Sequence, residues 1–175
     1  MWLGILIVIG AIGIGVAIGL AQTLPKMKGE RAKNQAAMAS GDLIKRDTNF
    51  YKDKEFFVAH IEDQQAFYSA LSAAVAKHGV CRASGNYGSR VVFQGIRGKW
   101  SAELVRIPSN DGTVRYSFSL SHFEQTSASS FADEQMMSVD LNYILTAIER
   151  TFLQFDPRTQ VSAQAIAFRS DSVVY

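Results

Sequence analysis

The chain has 175 residues, 47% hydrophobic and 11% aromatic, with a formal net charge of +2 and one cysteine. So small a charge points to no particular class of partner. A lone cysteine excludes an internal disulfide and suits a reducing compartment.

Between Met1 and Pro25 there is no Asp, Glu, Lys, Arg or His. A helix crossing a hydrocarbon core needs ~20 mostly apolar residues. Trp2–Leu24 supplies them and predicts a single transmembrane helix, all of whose backbone polar groups pair internally. The glycines of "GAIGIGVAIG", residues 10–19, resemble the phosphate turn of a dinucleotide-binding unit. That motif needs a strand, G-x-G-x-x-G and an opening helix. Here Gly13-x-Gly15 is followed by Gly19 one residue too late, Pro25 cuts the helix short, and "PKMKGERAKNQ" stands where a second strand belongs. No cofactor is expected. Ala11, Gly15 and Gly19 recur every four residues and share one face, with Gly13, Ala17 and Ala21 on a second. Small-residue faces let membrane helices approach closely, so this segment predicts helix–helix packing in a homodimer.

No basic side chain precedes the span, while Lys26, Lys28, Arg31 and Lys33 follow it against Glu30 alone. Positive charge beside a span stays in the cytoplasm, which places the carboxyl-terminal domain there. The same four residues lie at headgroup level, where each is worth ~1 kcal/mol on an anionic surface. They are candidate anionic-lipid contacts as well as topology signals. The alternative is an exported or envelope-side domain, with "GLA" at 19–21 as a cleavage site. A secretory signal, however, has a basic start and a core of ~7–15 apolar residues.

Residues 25–49 form a polar, alanine-rich juxtamembrane linker. Glu30–Ala39 predicts a short helix ending at Gly41, without an apolar face to bury. From residue 50 to 175 the composition is that of one soluble domain. Phe57, Ile61, Gln64, Tyr68, Leu71, Val75 and His78 recur at helical spacing and predict a helix over Asp53–His78, capped by Asp53 and stopped at Gly79. Strands are predicted at Arg90–Ile96, Lys99–Ile107 and Thr113–His122, the last two joined by a turn at Asp111-Gly112. In the third, Val114, Tyr116, Phe118 and Leu120 alternate with polar residues, as in a sheet with one packed and one wet face. A second helix, Ala132–Phe155, opens on a capping box of Ser130 and Asp133. It buries Met137, Leu141, Ile144, Ile148, Phe152 and Phe155 and stops at Asp156-Pro157. A last strand, Gln160–Arg169, sets Val161, Ala163, Ala165 and Ala167 on one side, leaving room for a helix. The fold class is α+β, two helices on a mainly antiparallel sheet in the order α-β-β-β-α-β. Small secretion-chaperone domains resemble this order, a likeness of element order alone.

Few residues suggest chemistry. His78 and Cys81 are three apart, but they straddle a helix C-terminus, where the dipole disfavours a thiolate. His60, His78 and His122 match no metal spacing with Cys81. Glu62-Asp63 and Asp133-Glu134 are adjacent carboxylates that diverge around a helix, expected on solvated surface. Met137 and its neighbour Met136 read as core. Arg82, Arg90, Arg97, Lys99, Arg106 and Arg115 are interleaved with Tyr87, Phe93, Trp100 and Tyr116, a mixture that can bind nucleic acid or acidic peptide. Alternation turns Trp100 and Tyr116 inward, away from Arg115, which counts against nucleic acid. No catalytic, cofactor-binding or metal residue is assigned. The expected function is a single-pass membrane protein presenting a non-catalytic cytoplasmic interaction domain to a protein partner. An enzyme with an unrecognised site is the other alternative.

Overall fold

The structure is a computed structural model that describes residues 29, 32–47, 49–126, 130–166 and 171–173. The expected span Trp2–Leu24, its packing residues Ala11, Gly15 and Gly19, and the basic residues Lys26, Lys28 and Arg31 lie outside these. Among the described residues no helix is long and apolar enough to cross a membrane. The chain divides into two units, at Leu43 and Ile44.

In the first unit, helix α1 covers residues 32–39, with Lys33 exposed on it. It ends as expected at Gly41, whose φ of 76° is left-handed. Gly41 N–H donates to Met38 at 3.2 Å and Leu43 N–H to Ala37 at 2.9 Å, satisfying carbonyls that the last turn leaves open.

In the second unit a short 3-10 turn, Phe50–Lys52, leads into β1, Asp53–His60. There follow α2 (Gln64–Ala76), β2 (Cys81–Asn86), β3 (Arg90–Gly95), β4 (Trp100–Ile107) and β5 (Thr113–Thr126). The long helix α3 (Ser130–Phe155) precedes β6 (Gln160–Ala165) and the short β7 (Asp171–Val173). Six strands form one antiparallel sheet in the order β2-β3-β4-β5-β1-β6, and β7 pairs in parallel with the end of β5. The class is α+β, as expected, but the element order is not the expected one. The leading strand removes the basis of the likeness to secretion-chaperone domains.

The region read as one helix over Asp53–His78 is a strand followed by a helix. Glu55, Phe57 and Ala59 are buried in alternation. Asp53 opens β1 rather than capping a helix. The cap of α2 is Asp63, whose carboxylate accepts the Ala66 N–H at 2.9 Å. The stop is where it was expected, at Gly79, with φ of 60°.

The core lies between the sheet and the two long helices. Phe67, Leu71 and Val75 of α2 are buried, as are Met137, Leu141, Ile144, Ile148 and Phe152 of α3. The sheet meets them with Phe57, Phe93, Leu104, Val114, Tyr116, Phe118 and Leu120. Phe152 sits at the centre, its ring 4.8 Å from Phe67 and 5.8 Å from Tyr116. Burying each such side chain is worth about 1.5–3 kcal/mol. The alternation expected in β5 is therefore present, and Trp100 and Tyr116 are core. In β6, by contrast, all six residues are exposed. Among the described residues no helix covers Val161, Ala163 and Ala165, and the strand forms the outer edge of the sheet, pairing with β1 alone.

Candidate functional site

The opposite edge of the sheet is β2, and it differs from β6 in having a helix beside it. The last turns of α2 are built from small residues, Ser72 to Ala76. After Lys77 the left-handed Gly79 turns the chain, so that β2 runs back along the helix. Cys81, Ala83 and Gly85 stand in register with Gly95, Phe93 and Val91 of β3. Directly paired residues share a sheet face. Phe93 and Val91 are buried against the helices, so Cys81, Ala83 and Gly85 face α2. Their small side chains leave a cleft of about 510 Å³ between α2 and β2, lined also by Ser72, Val75 and Tyr87. Gly85 cannot be replaced without strain. Its φ is 105°, and a Cβ there would lie 2.3 Å from the Arg90 carbonyl oxygen.

The polar groups of the cleft are quiet ones. Burial pushes the Cys81 thiol up to about 11, with the Asp140 carboxylate adding to the effect. The thiol is therefore neutral near pH 7 and poorly suited to be a nucleophile. Burial also raises the Tyr87 hydroxyl, opposed by its bond to Ser72. The Tyr87 carbonyl accepts the hydroxyl of buried Tyr116. His78, weighed as a partner for Cys81, packs its ring 4.7 Å from that of Tyr143. Among the described residues no group of three or more His, Cys, Asp or Glu is placed to hold a metal ion.

The basic residues interleaved along the strands are mostly engaged. Arg90 pairs with Glu103 at 2.6 Å, Lys99 with Asp133 at 2.6 Å and Arg115 with Asp111 at 2.5 Å. Arg106 donates to the Gly88 carbonyl at 3.4 Å, and Arg97 to the Met136 sulfur at 3.6 Å. Arg82 is the exception. It is exposed on β2 and has no partner among the described residues. The open arginine face suggested by the sequence is thus largely neutralised within the fold.

One expectation about carboxylates is corrected. Asp133 and Glu134 are not a solvated pair: Asp133 is 7% exposed beneath Lys99, and Glu134 accepts the Tyr51 hydroxyl. That bond follows burial as the second cause raising Tyr51 to about 12. Glu62 and Asp63 are exposed as expected, with Asp63 spent on its cap.

A second polar cluster ties the entry of the domain to α3. Arg46 contacts Glu149, Glu55 at 3.7 Å and Asn142 at 3.1 Å, while Asn142 donates to the Ile44 carbonyl at 3.0 Å. Burial raises the Glu55 carboxyl, with Arg46 as the main opposing influence. These groups satisfy one another, and the cluster is structural. Neither it nor the cleft was found in the sequence. The cleft's sequence signal is the coincidence of small residues at 72–76 with small residues at the alternate positions 81, 83 and 85. Compared with family models, curated proteins and solved structures, the chain matches none.

Proposed function

We propose that the chain is a single-pass membrane-anchored protein whose residues 50–175 form a non-catalytic interaction domain on the cytoplasmic side. The anchor rests on the uncharged run Trp2–Leu24, and the orientation on Lys26, Lys28, Arg31 and Lys33 behind it. These four residues also face anionic headgroups, and Ala11, Gly15 and Gly19 support pairing of two such spans. The observation that carries the interaction role is the cleft between α2 and β2. It opens beside a strand edge that is unpaired among the described residues, and its one thiol is held neutral.

Two experiments test this. With Cys81→Ser and Ser40→Cys, an impermeant maleimide applied to intact cells should label the protein only after lysis. Labelling before lysis would place the domain outside. Partner recovery from detergent extracts should be lost when residues 50–175 are deleted, and equal recovery from both forms would end the interaction reading.

A further inference from the structure

We infer that the free edge of β2 binds an extended, acidic peptide segment as an added strand, seated against α2. This rests on the reading of the domain as an interaction module and names its ligand class and docking site.

Three observations converge on this. First, among the described residues β2 pairs only with β3, so every second N–H and C=O along its outer side has no strand partner there. Such a row accepts another strand, at a spacing of about 4.8 Å. Secondly, an added strand there lies over the cleft. Alternate side chains of the peptide would enter the space that Cys81, Ala83 and Gly85 leave beside Val75. Small side chains fit a lining in which Val75, Ala76 and Val91 stand beside Ser72, Ser84 and Tyr87.

The third observation is charge. β2 has no acidic residue, and its single charge, Arg82, is exposed without a partner among the described residues. Lys77, at the end of α2, is likewise exposed and has no side-chain partner there. Among the described residues these two cations have no side-chain partner, Arg82 on the face of β2 turned away from the cleft and Lys77 just after α2, while Arg90, Lys99 and Arg115 are already paired. On the cleft side the nearest acid is Asp140, which acts on Cys81. An acidic segment complements this edge, and a basic one is opposed. The other edge, β6, has no charged residue and all six of its residues are exposed, and it serves as the internal control.

The test uses the full-length protein in detergent micelles and fluorescein-labelled six-residue peptide pools, matched to the length of β2. All pools alternate Ala, Val or Leu with a second residue, which is Asp or Glu, Lys or Arg, or Gln or Ser. By anisotropy the acidic pool should bind at least about tenfold more tightly than the basic pool. Arg82→Glu should reverse that order. Ala83→Leu, which fills the cleft, should weaken the acidic pool about tenfold, and Gln164→Lys on β6 should change nothing. Equal binding of the three pools, binding by none, or indifference to both Arg82→Glu and Ala83→Leu would overturn the inference. So would displacement of the acidic pool by a single-stranded oligonucleotide, which would make nucleic acid the ligand.

A photo-reactive residue placed in cells at Ser84, Ser119 or Ser162 separates the two levels. Protein crosslinks from Ser84 support the inference. Crosslinks from Ser119 or Ser162 with none from Ser84 defeat it but leave the interaction role standing. None from any position removes both.

Discussion

The rings of Phe57 and Phe152 lie stacked, 5.0 Å apart and within 7° of parallel, both fully buried. Phe57 comes from the middle of β1 and Phe152 from the last turns of α3, so this contact joins sheet to helix layer.

Phe152→Ala removes the ring that also touches Phe67 and Tyr116. The expected cost is about 3–5 kcal/mol, because the surrounding aromatic side chains can collapse only partly into the space. Urea unfolding followed by far-ultraviolet circular dichroism measures it. Phe152→Leu should lose distinctly less, and equal losses would mean that the ring contacts add nothing.

The same pair shows why part of the fold was hidden in the sequence. Phe57 and Ile61 stand at helical spacing ahead of Leu71 and Val75, so a helical pattern is easily extended backwards through them. The two-residue period of β1 is masked for two reasons. Its outward positions carry Phe56 and Val58, and one inward position carries Glu55, buried by virtue of Arg46. β3, β4, β5 and α3 were legible, since each buries one face in its own period. The edges were not. β2 and β6 are held by backbone pairing, and their residues are nearly all exposed, so no apolar pattern marks β2 and the alanines of β6 suggest packing they lack. The candidate site was still less legible, being a space left by small side chains.

Arg46→Ala should destabilise the domain by about 2–3 kcal/mol, since it strands Glu55 and Glu149 in a largely buried setting. The loss should depend on pH. The Glu55 carboxyl is already raised, and removing its cation raises it further. A carboxyl raised in the folded state favours folding where it is protonated and opposes it where it is ionised. The penalty should therefore shrink as pH falls from neutral toward the upper carboxyl range. Unfolding curves at pH 7.5 and 5 check this, and a constant penalty would argue against Glu55 as its source.

Asp156→Asn should lower the thermal midpoint at neutral pH. The carboxylate accepts the His60 N–H at 2.9 Å and the Arg158 N–H at 2.9 Å, and these bonds hold it below the usual carboxyl range. A depressed carboxyl stabilises the fold above its unfolded pKa, and the benefit fades as pH falls toward the folded value. The wild type should accordingly lose its advantage over the variant on acidification. A gap that persists at pH 2 would assign the effect to shape rather than charge.

Cys81 offers a direct chemical readout. With the thiol pushed up to about 11, its thiolate is scarce at pH 8, and iodoacetamide should alkylate it at least about tenfold more slowly in the folded chain than in urea. Mass spectrometry over time follows the reaction. Equal rates would mean that the thiol is not shielded by the α2–β2 cleft.

The place of β1 bears on how the polypeptide is made. Phe57 is in register with Tyr116 on one side and Val161 on the other, and both neighbours are translated after it. As the nascent chain leaves the ribosome, β1 must wait for β5, and then for the still later β6, before both its flanks are zipped. Such distant pairings are slow to form and leave bare strands at risk meanwhile. The sheet is therefore completed only once β6 has emerged, and a chain stalled ahead of Gln160 would keep one flank of β1 open.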